Sequence, residues 1–253
     1  MTTLSPILVD VHRTSKAVLL AAMLSLTGTC APAPTAAAYP TDSSTCPGTE
    51  AEICYSSAQM AAFAETGGRM IADYLALIVT SPEALPALRF IPSAGTASSN
   101  CVDVNGNSDQ HDRSFDYCRT DNTVFIGQDS LWDAYHQFGA AGPLSGMAHE
   151  YGHFLQSVAG VPLPITATDT IRNENQADCF SGAFIGYLRH RGGIAHPGDI
   201  DSVEHYLTAT ASGEAPGRDH GTAPERIQSF DLGYTGALPA CNEFYPATPL
   251  LKQ

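Results

Sequence analysis

Residues 148–154 read Ala148-His149-Glu150-Tyr151-Gly152-His153-Phe154, two histidines four positions apart with a glutamate beside the first. They lie within Gly142 to Ala159, where Leu144, Met147, Ala148, Tyr151, Phe154, Leu155 and Val158 recur at helical spacing and predict an amphipathic helix. Gly160 is the expected stop, with Pro162 beyond it. At 3.6 residues per turn, His149 and His153 leave one face of that helix, one turn apart. Two imidazoles so placed can bind one zinc ion. Glu150 stands beside them, outside the apolar stripe, where its carboxylate can act as general base toward water at the metal. With nine histidines in 253 residues, random order produces the His-Glu-x-x-His pattern with odds of roughly one in eighty. A second feature is therefore needed.

The next helical pattern supplies it. Thr170 to Arg191 carries Ala177, Phe180, Phe184, Tyr187 and Leu188 on one face, and Gly192-Gly193 ends it. Glu174 follows His153 by 21 residues, room for a turn and an antiparallel helix. A catalytic zinc site takes three protein ligands and leaves one position open, so Glu174 is the expected third ligand after His149 and His153. Asp178 lies one turn further on the same face. It is placed to accept a hydrogen bond from the far nitrogen of a ligand histidine, His149 first, fixing its tautomer. The competing reading of all these residues is a solvated helix face.

The stretch His149-Glu150-x-x-His153, followed by Glu174-Asn175-Gln176-Ala177-Asp178-Cys179-Phe180-Ser181-Gly182, resembles the bacterial neutral zinc metallopeptidase family. More broadly it is similar to thermolysin-type gluzincins, whose third ligand is the Glu of a Glu-x-x-x-Asp motif. Tyr117-Cys118 leading into 122–126, the segment from His220-Gly221-Thr222 through Gly233-Tyr234, and Cys241-Asn242-Glu243-Phe244 echo the same family. The resemblance spans roughly residues 85–245 and implies a peptidase class without a known substrate. It also offers His220, just before a capped helix, as the group that steadies the oxyanion. Tyr151 and Tyr135 are alternatives, and a purely structural His220 competes. His111, His136, His190, His196 and His205 read as surface or core residues. The chain departs from the family in its cleavable-looking N-terminus and its Asp/Asn-rich 101–118 loop.

The rest of the chain frames this site. Its 253 residues suit one domain with a sizeable core. Lys+Arg is 12 against Asp+Glu 26, for a net charge of −14, which argues against a nucleic-acid partner, since phosphate binding runs on Lys and Arg. His12, Arg13 and Lys16 precede the apolar run 17–26 and the small residues Ala36-Ala37-Ala38. This is the layout of a secretory signal cleaved after Ala38. Lipidation at Cys30 is the rival, and membrane contact is expected only in that case or if the N-terminus is retained. The expected organisation is a signal peptide over 1–38, a lead-in over 39–57 and a zinc metallopeptidase domain over 58–253. Without Cys30, six cysteines remain: Cys46, Cys54, Cys101, Cys118, Cys179 and Cys241. An even set outside the cytoplasm favours disulfides. Short loops suggest Cys46–Cys54 and Cys101–Cys118, which leaves Cys179–Cys241.

Further helices are expected over Ser57 to Val79, over Asp199 to Ala211, and after the capping box Thr222-Ala223-Pro224-Glu225. A strand is expected over 122–126, and 93–120 reads as one long loop. Asp103-x-Asn105-x-Asn107-x-Asp109 resembles half a calcium loop, but Gly106 is misplaced and Ser114 stands where a bidentate Glu belongs. A solvated Asx-rich loop is the default. The expected fold is α+β, mainly α-helical, zincin-like, with a small sheet bordering the active-site helix. The expected function is secreted, zinc-dependent hydrolysis of peptide bonds in a peptide or protein substrate. The alternative is a catalytically inactive zinc-containing extracellular binding module.

Overall fold

The computed structural model describes residues 56–79, 85–102, 108–193 and 198–250, all within one unit, Pro40–Gln253. The signal segment with Cys30, the lead-in as far as residue 55 with Cys46 and Cys54, and Asp103, Asn105 and Asn107 of the calcium motif lie outside the described residues.

Helix α1, Ser57–Leu75, begins in a capping box in which Gln59 N–H donates to the Ser56 hydroxyl and the Gln59 side chain accepts from Ser56 N–H. Helix α2, Gln128–Phe138, directly follows a strand. Helix α3, Ala141–Ala159, matches the expected active-site helix in extent. Helix α4, Ala167–His190, starts three residues before the expected Thr170, because the Thr166 hydroxyl caps Asp169 N–H at 3.1 Å. Helix α5 covers Gly198–Ala209. Helix α6, Ala223–Ala240, opens at the expected box, with Glu225 accepting from Thr222 N–H at 2.8 Å. It kinks at Ala237 and runs into a short 3-10 turn, Cys241–Glu243.

Five strands interleave: β1 Ala87–Ile91, β2 Thr96–Ser98, β3 Asp109–His111, β4 Phe115–Cys118 and β5 Thr123–Gly127. In the three-stranded sheet, β5 lies between β1, which is parallel to it, and β4, which is antiparallel. β2 and β3 form a separate antiparallel pair. The fold is thus α+β and mainly helical, as expected. The expected loop over 93–120 is corrected: three short strands stand in it. Their three or four residues are too few for an alternating pattern to show, and Asp, Asn and Ser dominate the composition. The disulfide Cys101–Cys118 joins the end of β4 to the segment after β2. Ser114 is structural, its hydroxyl accepting from His111 N–H at 2.8 Å. Among the described residues no helix is long and apolar enough to cross a membrane.

Helix α3 has the expected amphipathic pattern, yet every residue from Ala141 to Gly152 is buried. Neighbouring helices and β4 cover its sides, so its polar positions face a protein interior instead of solvent. A helix buried all round has to justify each polar side chain, and His149, Glu150 and Gln156 are all buried.

Two close approaches set the geometry. A Cβ on Gly152 would lie 3.0 Å from the Cα of Ala177, so α3 and α4 cross nearly backbone to backbone at that point. Glu174 and Asp178 flank Ala177 on α4, as His149 and His153 flank Gly152 on α3. Further along α4, a Cβ on Gly182 would fall 1.9 Å from the Phe230 carbonyl oxygen, and one on Gly233 1.8 Å from that of Cys179. Helix α6 therefore lies against α4 with no side chain between them at these positions, and the Cys179–Cys241 disulfide ties the two together.

Candidate metal centre

The α3–α4 crossing brings three acceptor groups to one point. His149 Nε2 lies 3.1 Å from His153 Nε2 and 3.2 Å from Glu174 Oε2, and His153 Nε2 lies 3.5 Å from Glu174 Oε1. A tetrahedral ion with bonds of about 2.05 Å separates its ligand atoms by about 3.3 Å. His220 approaches from the loop before α6, its Nε2 3.4 Å from Glu174 Oε2 and its ring stacked on that of His149 at 6.0 Å. His149, Glu174 and His220 offer donor atoms that all lie within 4.8 Å of one another and could hold a metal ion.

The hydrogen bonds behind the rings say what charge the site demands. His149 Nδ1 donates to Asp178 Oδ1 at 2.8 Å. His153 Nδ1 faces Gln156 Oε1 at 2.9 Å, which only accepts. In the neutral form both rings therefore turn bare Nε2 lone pairs toward each other and toward a carboxylate. Three acceptors cannot sit this close without something positive among them. A proton on His149 is one solution: burial alone would pull its pKa down, but Asp178 and Glu174 outweigh burial and hold it at about 10. A divalent cation is the other, and the donor set fits one. The same field acts on Glu174, where burial is overcome by His153, His149 and His220 and the carboxyl falls to about 2. His153 is lowered, chiefly by burial.

Asp178 is fully buried and kept ionised by a bidentate pair: Arg226 Nε donates to Oδ2 at 2.9 Å and Nη2 to Oδ1 at 2.8 Å. Burial would raise its pKa, but Arg226 and His149 hold it well below the usual carboxylate range. Arg226 Nη1 also donates to the Thr210 carbonyl at 3.0 Å, fixing the chain that leads to His220. The buried Glu150 of α3 accepts from Tyr117 N–H of β4. Burial pushes its carboxyl up to about 8, with Glu174 and Asp116 adding to the rise and His149 opposing it. The ring of Tyr117 meets Phe154 edge-on at 6.1 Å, so β4 borders α3 along the site.

The structure thus brings together His149, His153, Glu174, Asp178 and His220, with Glu150 alongside. The two tyrosine alternatives are corrected. A Cβ on Gly68 would meet the Tyr151 hydroxyl at 3.2 Å, so that side chain points toward α1, and Tyr135 packs on Phe63 of α1 at 5.3 Å. Tyr151 is buried and Tyr135 half-buried, both against α1. Sequence reasoning missed Arg226, Gln156 and Gln176. Arg226 had one signal, its place directly after the capping-box Glu225. The glutamines had only their spacing, each within three residues of a proposed ligand.

A cleft of about 190 Å³ opens on His153 and Glu174, lined also by Tyr117, Arg119, Val161 and Leu163. A larger one of about 360 Å³, between Asn175, Gln228, Leu232 and Phe244, is lined by none of the convergent ligands. Of the two, only the smaller is lined by His153 and Glu174.

No family model matches the chain, and no solved structure matches it. Curated relatives do. The uncharacterized protein YpfJ of Escherichia coli K12 is 30% identical, covering 51% of this chain and 53% of the relative. The uncharacterized protein Rv2575 of Mycobacterium tuberculosis H37Rv is 30% identical, covering 52% and 55%. The chain spans about half the length of the curated relatives it matches, and what is established for it is a mainly helical α+β fold, two disulfides and a His/Glu cluster able to hold a metal ion.

Proposed function

We propose that the chain is an extracytoplasmic zinc-dependent peptidase of the neutral metallopeptidase type, with a zincin-like arrangement of α3 beneath β4. The observation that carries this reading is the convergence of His149 Nε2, His153 Nε2 and the Glu174 carboxylate at 3.1 to 3.5 Å, with the carboxyl of Glu150 buried beside them. Zinc in such a site acts as a Lewis acid on a peptide carbonyl and lowers the pKa of the attacking water.

The geometry supports an account of the protein side of the reaction. His149, His153 and Glu174 would hold the cation. Asp178, clamped by Arg226, orients His149 and raises its basicity. Glu150, whose raised pKa suits exchange near neutral pH, takes the proton of the attacking water and returns it to the leaving amine. His220, 37% exposed at its side chain, stands at the open side, where its ring can donate to the developing oxyanion. The cleft beside His153 and Glu174 receives the neighbouring substrate residues. The two disulfides support an oxidising compartment.

Glu150→Gln is expected to keep full metal content and lose hydrolysis of peptide substrates, read by elemental analysis and a peptide-library assay on the same preparation. Undiminished turnover would remove Glu150 from the role of base. His153→Ala is expected to lose the metal, and full occupancy in that variant would overturn the ligand set. Metal retained by the wild type with no hydrolysis across a broad library would favour the inactive binding module instead.

A further inference from the structure

Behind His153 lies a chain of side chains that ends, 65 residues from Gln176, on a backbone carbonyl. Gln176 is fully buried and Gln156 is 5% exposed. Gln176 Nε2 donates to the Cys241 carbonyl at 3.0 Å. Gln156 Nε2 donates to Gln176 Oε1 at 3.1 Å and to the Asn173 carbonyl at 2.7 Å. Gln156 Oε1 then faces His153 Nδ1 at 2.9 Å.

A primary amide can in principle be turned either way, but here both ends of the chain are fixed. A carbonyl only accepts, so Cys241 forces the NH2 of Gln176 toward itself and the oxygen of Gln176 toward Gln156. Gln156 must answer with its own NH2, and the Asn173 carbonyl independently demands the same orientation. The oxygen of Gln156 is left facing the ring, so Nδ1 of His153 has to carry a proton. In neutral imidazole the lone pair then sits on Nε2, the nitrogen aimed at Glu174 and His149. Cys241 is itself held to Cys179, next to Asp178, so the supports of both imidazoles rest on the same stretch of α4.

We propose that Gln156 and Gln176 form a neutral amide chain, anchored on the Cys241 carbonyl, that sets the tautomer of His153 and makes it a metal ligand. This rests on the metal-site reading above and adds positioning residues that touch neither cation nor substrate. The chain works by direction alone, with no charge, unlike the Asp178–Arg226 pair behind His149. An amide that could flip would offer Nδ1 a donor and push the proton onto Nε2, which removes the lone pair.

The test uses the full chain, cobalt(II) as the probe, and nitrogen-15 shifts of the histidine rings in the metal-free protein. Gln156→Met is expected to weaken cobalt binding about 10- to 100-fold, the range for lost partners of a ligand histidine, and to move His153 out of the Nδ1–H tautomer. Gln156→Glu keeps an acceptor for Nδ1 and should leave His153 in the Nδ1–H tautomer, although its second oxygen then meets the Asn173 carbonyl and Gln176 Oε1 and should weaken cobalt binding as well. Gln176→Met should give an intermediate loss, because the Asn173 carbonyl still orients Gln156. Cobalt affinity of Gln156→Met equal to wild type, or a His153 tautomer unchanged by it, overturns the proposal. If Gln156→Met does not fold, loss of the Nδ1–H tautomer in Gln156→Glu overturns it equally. A wild type that binds no cobalt refutes the metal site, while the ring shifts still decide the amide chain.

Discussion

The two histidines of the site are one turn apart on a single helix, yet they are held in opposite ways. Behind His149 stands a charged anchor, the buried carboxylate of Asp178 clamped by two hydrogen bonds from Arg226. Behind His153 stands a neutral one, Gln156 leaning on the Asn173 carbonyl and on Gln176, which rests in turn on the Cys241 carbonyl. The difference teaches how a protein interior affords a cation. A buried carboxylate strengthens the ring it touches but costs desolvation, so it needs a cation of its own. An amide orients the ring without adding charge. One anchor of each kind, with Glu174, gives a donor set of one net negative charge plus a charge-balanced pair behind it.

The sharpest way to break the comparison is Arg226→Leu. It leaves Asp178 buried and unpaired, and unfolding free energy should fall by about 3–5 kcal/mol, measured by denaturant titration. The double variant Asp178→Asn with Arg226→Leu should recover part of that loss, because no buried charge is left alone. A double variant less stable than Arg226→Leu would show that the pair acts through packing. Next comes Gly233→Ala, which puts a methyl into the Cys179 carbonyl. It should cost about 1–3 kcal/mol and displace α6 with Arg226. Cobalt affinity should fall with it, while an unchanged melting temperature would deny the close approach.

Asp178→Asn alone compares the two anchors directly. It should weaken cobalt binding about 10- to 100-fold, and at least as much as Gln156→Met, since it removes a charge as well as an acceptor. A smaller loss than in Gln156→Met would reverse the ranking drawn here. The smallest effect concerns pH. The Arg218 hydrogen bond, helped by Thr222, holds Glu225 at the start of α6 down from 4.5 to about 2. A folded-state pKa below the unfolded one stabilises above the unfolded value and is lost as pH falls through the folded one. The stability gap between wild type and Glu225→Gln should therefore be full at pH 6 and shrink between about pH 4.5 and 2, followed by urea midpoints. A gap that widens toward acid would contradict the sign.

Helices were legible where periodicity runs for several turns. The extent of α3 and the start of α6 follow from apolar spacing and from Gly160 and Thr222, and Glu174 and Asp178 could be set beside His149 because helices repeat every 3.6 residues. Strands β2, β3 and β4 were not legible, since three or four residues carry no usable period and the surrounding Asp and Asn suggest a loop. β1 and α2 were passed over, β1 because its five residues alternate weakly, α2 because its charged and polar residues mask a face that buries only Leu131 and Ala134. The burial of α3 on both faces was not legible, because its faces differ in polarity but not in exposure.

The sequence alone thus singled out His149, Glu150, His153, Glu174 and Asp178 as candidates, since local helical geometry suffices to set each on a face of its helix. The pairing Cys179–Cys241 was what short loops between the other cysteines left over. Tertiary structure decided the rest: that Arg226 clamps Asp178, that His220 reaches Glu174, and that two glutamines and the Cys241 carbonyl line up behind His153. These contacts join positions 17 to 65 residues apart through one or two hydrogen bonds each. Such bonds leave no periodic trace, because their partners are selected by where helices cross, and the crossings are set by glycines whose lack of a side chain shows only once two backbones meet.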